Sequence, residues 1–325
     1  MLEQANDYKY SVIIPVYNSQ AIVGETIDRV VAFFEGQGWD YELILVNDNS
    51  PDKSWQVIEA KAQANPKVVA IHLLKNYGQH TAIYCGLQHM TGDFAITMDD
   101  DLQNPPEEIV HLVEKILEGH DIVYGRFKRK EHANYRRAGS RAIALINQRV
   151  FRQPKDLVVS NFRIIRRDVV ERMCNYRTNY PYITGLSLMF STNRANTWVE
   201  HQPRKVGKSN YSTFRIAALV MRILFNYSSY PLRVVSIIGF VASFVSVLVG
   251  VFYLARALFV GISVPGWATV VVLLAFLSGI NTVIVSMLGE YLIRLVQQMS
   301  ESNVYYVKEI VNRSTGKPVT AQYER

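Results

Sequence analysis

Two stretches, Val234–Ala255 and Ala268–Gly289, carry no charged side chain, and each is longer than the ~20 apolar residues that span a bilayer. Nothing else in the chain constrains the fold as strongly, since such a run must lie in lipid or be enclosed by protein on all sides. The link between them, residues 261–267, has no Lys or Arg, whereas Arg215, Arg222 and Arg233 precede the first run and Arg294, Lys308 and Arg313 follow the second. By the positive-inside rule this predicts a transmembrane hairpin with both termini in the cytoplasm. Arg256, at the far end of the first run, can snorkel to the interface. Residues 211–230 are largely apolar, with Arg215 and Arg222 on nearly one helical face. That fits a helix lying in the membrane interface or a buried amphipathic helix.

The rest of the 325-residue chain is long enough for one sizeable domain. Met1–Tyr10 is polar and mixed in charge, so no secretory signal is expected. Cys85 and Cys174 are the only cysteines, too few for a disulfide framework or a zinc site, as suits a reducing cytosol. A net charge of +7 fits either nucleic acid or anionic lipid and phosphate, and the apolar runs favour the second. No nucleic-acid partner is expected.

From Tyr10 to Gly125 short apolar runs alternate with amphipathic stretches, which predicts an α/β domain with a parallel sheet covered by helices. Strands are expected at Ser11–Tyr17, Glu42–Asn47, Val68–Leu74, Asp93–Met98 and Asp121–Tyr124. Ile22, Val23, Ile27, Val30, Val31 and Phe34 recur at helical spacing, and Asn104 followed by Pro105, Pro106, Glu107 and Glu108 reads as a capped helix start. The expected organisation is an α/β domain over 1–210, an amphipathic helix over 211–230, a two-helix membrane hairpin over 231–292 and a tail over 293–325. On that division, a chain cut after Tyr230 is expected to keep an intact α/β domain.

Ligands of open parallel sheets bind beyond the carboxyl ends of the strands. Asp48 follows one expected strand there, and Asp99, Asp100 and Asp101 follow another. Three successive carboxylates repel one another unless a cation or donors offset them; Mg²⁺ or Mn²⁺ would do so and would bridge a diphosphate. A solvated acidic turn is the bland alternative. His201 to Tyr211, with Arg204, Lys205 and Lys208 beside Gly207 and Ser209, reads as a phosphate-gripping loop or a basic linker.

The chain resembles family 2 glycosyltransferases of the polyprenyl-phosphate branch, nearly end to end. The resemblance rests on Ser11-Val-Ile-Ile-Pro-Val-Tyr-Asn18, Val46-Asn-Asp-Asn-Ser50, Asn76-Tyr-Gly-Gln-His80, Met98 to Pro106, Asn161-Phe-Arg163, Arg204 to Tyr211, Pro231-Leu-Arg233 and Gly289-Glu-Tyr291. It implies a GT-A fold followed by interfacial and transmembrane helices. The implied activity is metal-dependent, inverting transfer of a sugar from a nucleotide diphosphate sugar, expected to be a UDP-sugar, to a polyprenyl phosphate such as undecaprenyl phosphate. The lipid-linked product would serve cell-envelope glycan or lipopolysaccharide modification at a bacterial inner membrane. A homo-oligomer, a tetramer in similar enzymes, is also implied.

The same resemblance implies donor contacts at Pro15, Tyr17, Asn18, Asp48, Asn76, Gln79, Asp99, Asp100, Arg204, Lys208 and Ser209, and metal contacts at Asp99, Asp101 and Gln103. Arg163 matches the arginine of the strand below the acceptor site. Many relatives carry an acid just before this Phe-Arg pair, where this chain reads Ser160-Asn161; Asp156 is the nearest substitute for a base. A lipid phosphate, with a second pKa of about 6, needs no strong base. Residues 126–155 carry ten Lys or Arg and the single acid Glu131; Arg126, Lys128, Arg136 and Arg137 are the expected acceptor contacts, against a solvated helix face for the others. A processive polysaccharide synthase is disfavoured, because Gln202-Pro203-Arg204 does not supply the Gln-x-x-Arg-Trp motif. A non-catalytic, membrane-tethered nucleotide-sugar sensor is disfavoured by the intact acids.

Overall fold

The computed structural model describes residues 2–127, 144–202, 213–228, 266–299 and 303–312, with scattered helical positions between 234 and 259. The chain divides into two units, Met1–Val220 with Asn303–Arg325, and Met221–Ser302.

The first unit is built on an eight-stranded sheet: β1 (Lys9–Val16), β2 (Asp40–Asn47), β3 (Val68–Leu73), β4 (Phe94–Thr97), β5 (Ile122–Phe127), β6 (Arg163–Arg166), β7 (Arg194–Val199) and β8 (Val307–Val311). The spatial order is β7-β5-β6-β4-β1-β2-β3-β8. The five expected strands are all present. Strands β4, β1, β2 and β3 run parallel, and their near-continuous burial explains why they read as apolar runs.

The sheet is nevertheless mixed, and this corrects the parallel expectation. Strand β6 inserts antiparallel between β4 and β5, and β8 pairs antiparallel with β3. Neither advertises itself: β6 is four residues with arginine at each end, and β8, Val-Lys-Glu-Ile-Val, sits in the expected tail. Part of that tail is therefore an edge of the sheet.

Helix α1 (Val23–Gln37) buries Val23, Ile27, Val30 and Phe34 on one stripe. It stops at Gly38, whose φ of 71° is open to glycine without strain. Helices α2 (Ser54–Ala64), α3 (Gln79–Gln88) and α4 (Ile109–Ile116) follow. On α3, Gly86 lies so close to the Ile13 side chain that a Cβ would collide with it, which seats this helix tightly on β1. The core joins Tyr10, Phe34, Tyr41, Leu43, Ile96 and Phe162 with their neighbours; each large side chain fully buried contributes roughly 1.5–3 kcal/mol. The expected cap at Asn104 does not form. A 3-10 turn at Pro106–Glu108 precedes α4 without a side-chain cap, and Asn104 is buried instead, its Oδ1 without a hydrogen-bond partner among the described residues.

Helices α5 (Arg167–Asn175) and α6 (Ile183–Phe190) pack beyond β6, and α7 (Thr213–Tyr227) falls where the amphipathic helix was expected. In the second unit α8 runs from Trp267 to Met299. Among the described residues, no helix is long and apolar enough to cross a membrane. Much of the first apolar run, and several side chains of the second, lie outside them.

Candidate active site

The site is assembled at the carboxyl ends of β1, β2, β3 and β4. Pro15 is buried in β1, and the chain then turns through exposed Tyr17 and through Asn18 at φ 55°. Asn49, after β2, has φ 51°; asparagine tolerates this region better than most residues. The Asn18 N–H donates to Ser50 Oγ at 3.1 Å, which ties the two turns together.

Asp48 is 2% exposed. Its Oδ1 accepts the Tyr77 N–H at 2.7 Å and its Oδ2 accepts the Gly78 N–H at 2.8 Å. Burial pushes its pKa above the ordinary carboxylate value, while the two N–H groups pull it down. Asp48 thus holds the loop after β3, where Gly78 takes φ 93°. Asn76 on that loop is exposed. Gln79 begins α3, and its Nε2 donates to Asp99 Oδ1 at 2.6 Å.

Asp99 and Asp100 are half-buried and Asp101 is buried. The Asp100 main-chain carbonyl accepts the Thr26 hydroxyl at 2.8 Å, but its side-chain Oδ2 is enclosed without a hydrogen-bond partner among the described residues. Burial pushes the Asp100 pKa up to about 7, with Asp99 and Asp101 adding to the rise. Asp101 Oδ1 accepts the Gln103 N–H at 3.1 Å. Between them Leu102, 1% exposed, holds φ 54°, a strained conformation for a bulky side chain.

Arg163 is fully buried. Register sets it opposite Thr97, two residues before Asp99. Its Nε donates to Thr97 Oγ1 at 3.1 Å and its terminal nitrogens to Thr184 Oγ1 at 3.3 Å and Asn161 Oδ1 at 3.4 Å. Its guanidinium sits 5.8 Å from the Tyr124 ring centroid. Burial draws its pKa below the ordinary arginine value, with Asp99 among the groups opposing the change. Among the described residues no carboxylate forms a salt bridge with it.

Two histidines join the site that motif reading left without roles. His80, one residue after Gln79, packs edge-on against Tyr182 at 5.1 Å; burial and then the Arg163 charge lower its pKa to about 4. His201 brings its Nε2 to 3.5 Å from Gln103 Nε2 and its ring to 4.6 Å from Phe127. The Gln202 N–H donates to the Gln103 carbonyl at 2.9 Å. The signal for His201 was its place at the head of the basic loop.

Other expected residues lie apart or outside. Arg126 is exposed on β5, 4.6 Å over the Trp198 ring. Asp156 is exposed in a turn. Lys128, Arg136, Arg137, Arg204, Lys208 and Ser209 fall outside the described residues.

Among the described residues, no three His, Cys, Asp or Glu side chains form a ready-made metal cage. A cation nevertheless fits the acid turn, where burial and the neighbouring Asp99 and Asp101 charges raise the Asp100 pKa despite a hydrogen bond from Ser19. Mg²⁺ and Mn²⁺ need only one or two carboxylates when a diphosphate and water complete the shell.

A half-parallel, half-mixed α/β sheet with an acid turn at its carboxyl edge defines a GT-A fold of the nucleotide-sugar glycosyltransferase class. The Glycosyl transferase family 2 model matches residues 11–174, half of the chain, and the chain belongs to that family. Solved structures share the fold. Glucosyl-3-phosphoglycerate synthase from Mycobacterium tuberculosis, in complex with Mn²⁺, UDP and phosphoglyceric acid, is 17% identical over 69% of this chain and 79% of that one, with a TM-score of 0.53. Mannosyl-3-phosphoglycerate synthase from Rubrobacter xylanophilus is 17% identical over 69% and 74%, with a TM-score of 0.50.

Proposed function

We propose that this glycosyltransferase moves a sugar from a UDP-sugar to a polyprenyl phosphate, with undecaprenyl phosphate the expected lipid, and inverts the anomeric carbon. One observation carries the reading of the chemistry. Burial and the charges of Asp99 and Asp101 push the Asp100 pKa up to about 7, which calls for a cation, while among the described residues the fully buried Arg163 forms no salt bridge with a carboxylate, which calls for an anion. A divalent ion and the phosphates of donor and acceptor would supply both.

Asp99, Asp101 and Gln103 would hold Mg²⁺ or Mn²⁺, with His201 Nε2 a further nitrogen ligand. Bound there, the ion supplies charge neutralisation for the departing diphosphate. Asp48, Pro15, Tyr17, Asn18 and Asn76 border the nucleotide, and Gln79 orients Asp99. Arg204, Lys208 and Ser209 would contact the diphosphate; the place of His201 and Gln202, just before them in the chain, beside Gln103 supports this. Arg163 would face the acceptor phosphate and the charge developing as it attacks. His80, neutral at pH 7, adds no competing charge. The attacking phosphate oxygen is already anionic, so no base is assigned to Asp156.

The apolar runs and the basic stretch 126–155 support a membrane acceptor. Described side chains on α8, among them Leu274 and Phe276, are 60% and 63% exposed, as befits a helix whose surroundings are apolar. On this reading the catalytic unit and both termini are cytoplasmic, Arg126, Lys128, Arg136 and Arg137 meet lipid phosphate, and the enzyme is a homo-oligomer in an inner membrane. The test is transfer of labelled sugar from UDP-sugars to membranes with Mn²⁺, followed by mass spectrometry of the organic extract. A sugar phosphoprenol is expected. Label found only on a soluble phosphorylated acid such as phosphoglycerate would overturn the acceptor assignment.

A further inference from the structure

The chain leaves the first unit at Val220 and re-enters it at Asn303. What returns is wired to the donor side of the site. Strand β8 pairs with β3 from Ala70↔Val311 to Leu73↔Val307, and Asn312 Nδ2 donates to the carbonyls of Ala62 and, at 3.2 Å, Asn65. Those contacts alone would only cover a sheet edge.

Three more contacts reach past the edge. The Tyr305 hydroxyl donates to Gln88 Oε1 at 2.6 Å, at the far end of the helix that begins with Gln79. The Tyr306 carbonyl accepts the Leu74 N–H at 2.9 Å, and the Tyr306 N–H donates to the Tyr77 hydroxyl at 3.2 Å. Tyr77 and Gly78 are the residues whose N–H groups hold Asp48, and Gln79 holds Asp99. The loop from Leu74 to Gly78 belongs to no helix or strand, so these bonds define its path.

We propose that residues 303–312 are a positioning element of the donor site, in which Tyr305 and Tyr306 hold the loop Leu74–Gln79 so that Asp48 and Asp99 are presented to the nucleotide sugar. This rests on the nucleotide-sugar reading of the site. A loop released from Tyr306 spends part of its time in other conformations, and apparent donor affinity falls by the fraction that remains competent. The chemical step of the correctly bound complex is unchanged.

The test uses the full-length protein. Tyr306→Pro removes the N–H that Tyr77 accepts; Tyr306→Ala keeps it and removes only a side chain that is 51% exposed. Binding of UDP with Mn²⁺ is measured by calorimetry, donor KM and kcat by transfer, the Tyr77 and Gly78 amides by hydrogen exchange, and folding by thermal midpoint. Tyr306→Pro is expected to weaken UDP and raise donor KM about tenfold, keep kcat within about twofold, and speed exchange of both amides at a near-normal midpoint. Tyr306→Ala should match the parent. If Tyr306→Pro does not fold, Tyr305→Phe takes its place, with faster exchange at Gln79 as the added readout. Unchanged UDP affinity and exchange in the loop variants, or an equal defect in Tyr306→Ala, overturns the proposal. Should the parent bind no UDP, the nucleotide-sugar reading fails instead, and amide exchange alone decides whether Tyr306 holds the loop.

Discussion

Arg163 faces Thr97 across the antiparallel pair β4–β6, its Nε 3.1 Å from the threonine hydroxyl. That pairing puts a fully buried guanidinium among hydroxyl and amide oxygens with no carboxylate in the bond set. Leaving a charge so placed costs stability, and an anionic ligand would repay it.

Arg163→Met should therefore cost activity without costing the fold. Removing one group aimed at developing charge typically lowers kcat by about 100- to 1,000-fold, whereas for the fold the loss of hydrogen bonds to Thr97, Thr184 and Asn161, about 1 kcal/mol each, is offset by no longer burying a charge. Thermal melts and transfer assays on the same preparation check it. A melting point well below the parent's would mean that Arg163 serves the fold.

Asp101→Asn removes a charged oxygen with little change in volume. Transfer is expected to fall at least about 100-fold, with most of the loss in Mn²⁺-dependent UDP binding and the melting point unchanged or slightly raised as repulsion with Asp99 and Asp100 eases. Activity near the parent's at saturating Mg²⁺ or Mn²⁺ would remove Asp101 from the metal set.

Asp156→Asn should leave turnover within about tenfold of the parent, because a working general base contributes about 100-fold or more and Asp156 sits exposed in a turn. A pH–rate profile of the variant is the discriminating measurement. Loss of the acidic limb together with a fall beyond 100-fold would restore Asp156 as the base.

His80 predicts a stability change in mild acid. Its folded pKa, about 4, lies below the ordinary 6.5, so between those values the unfolded chain takes up a proton that the folded chain refuses. The contribution is complete above about pH 6.5 and is lost as pH falls toward 4. His80→Gln should flatten the decline in melting temperature across that window relative to the parent. Parallel curves for the two proteins would show that His80 titrates normally.

The positions of β1 to β5 and of the acids at their ends were legible locally. A strand buried on both faces must be an apolar run, and a ligand at its carboxyl end calls for polar residues immediately after it; Asp48 and Asp99 to Asp101 follow from those two facts. The apolar runs after Arg233 were legible for the same reason, since length and lack of charge are properties of contiguous residues.

What the tertiary structure alone decided are the contacts made by pairing distant segments. Strand β6 is too short and too charged to show a period, yet its insertion between β4 and β5 is what carries Arg163 to Thr97, 66 positions away. His201 reaches Gln103 across 98 positions and Tyr305 reaches Gln88 across 217. Asn104 looked like a helix cap because its neighbours are Pro and Glu, but the turn before α4 buries it instead. Local composition registers which face of an element meets the core; it carries no record of which other strand supplies the neighbour. That choice is made by the free energy of the whole sheet, in which β8 covers β3 and Arg163 finds its place beside the acids.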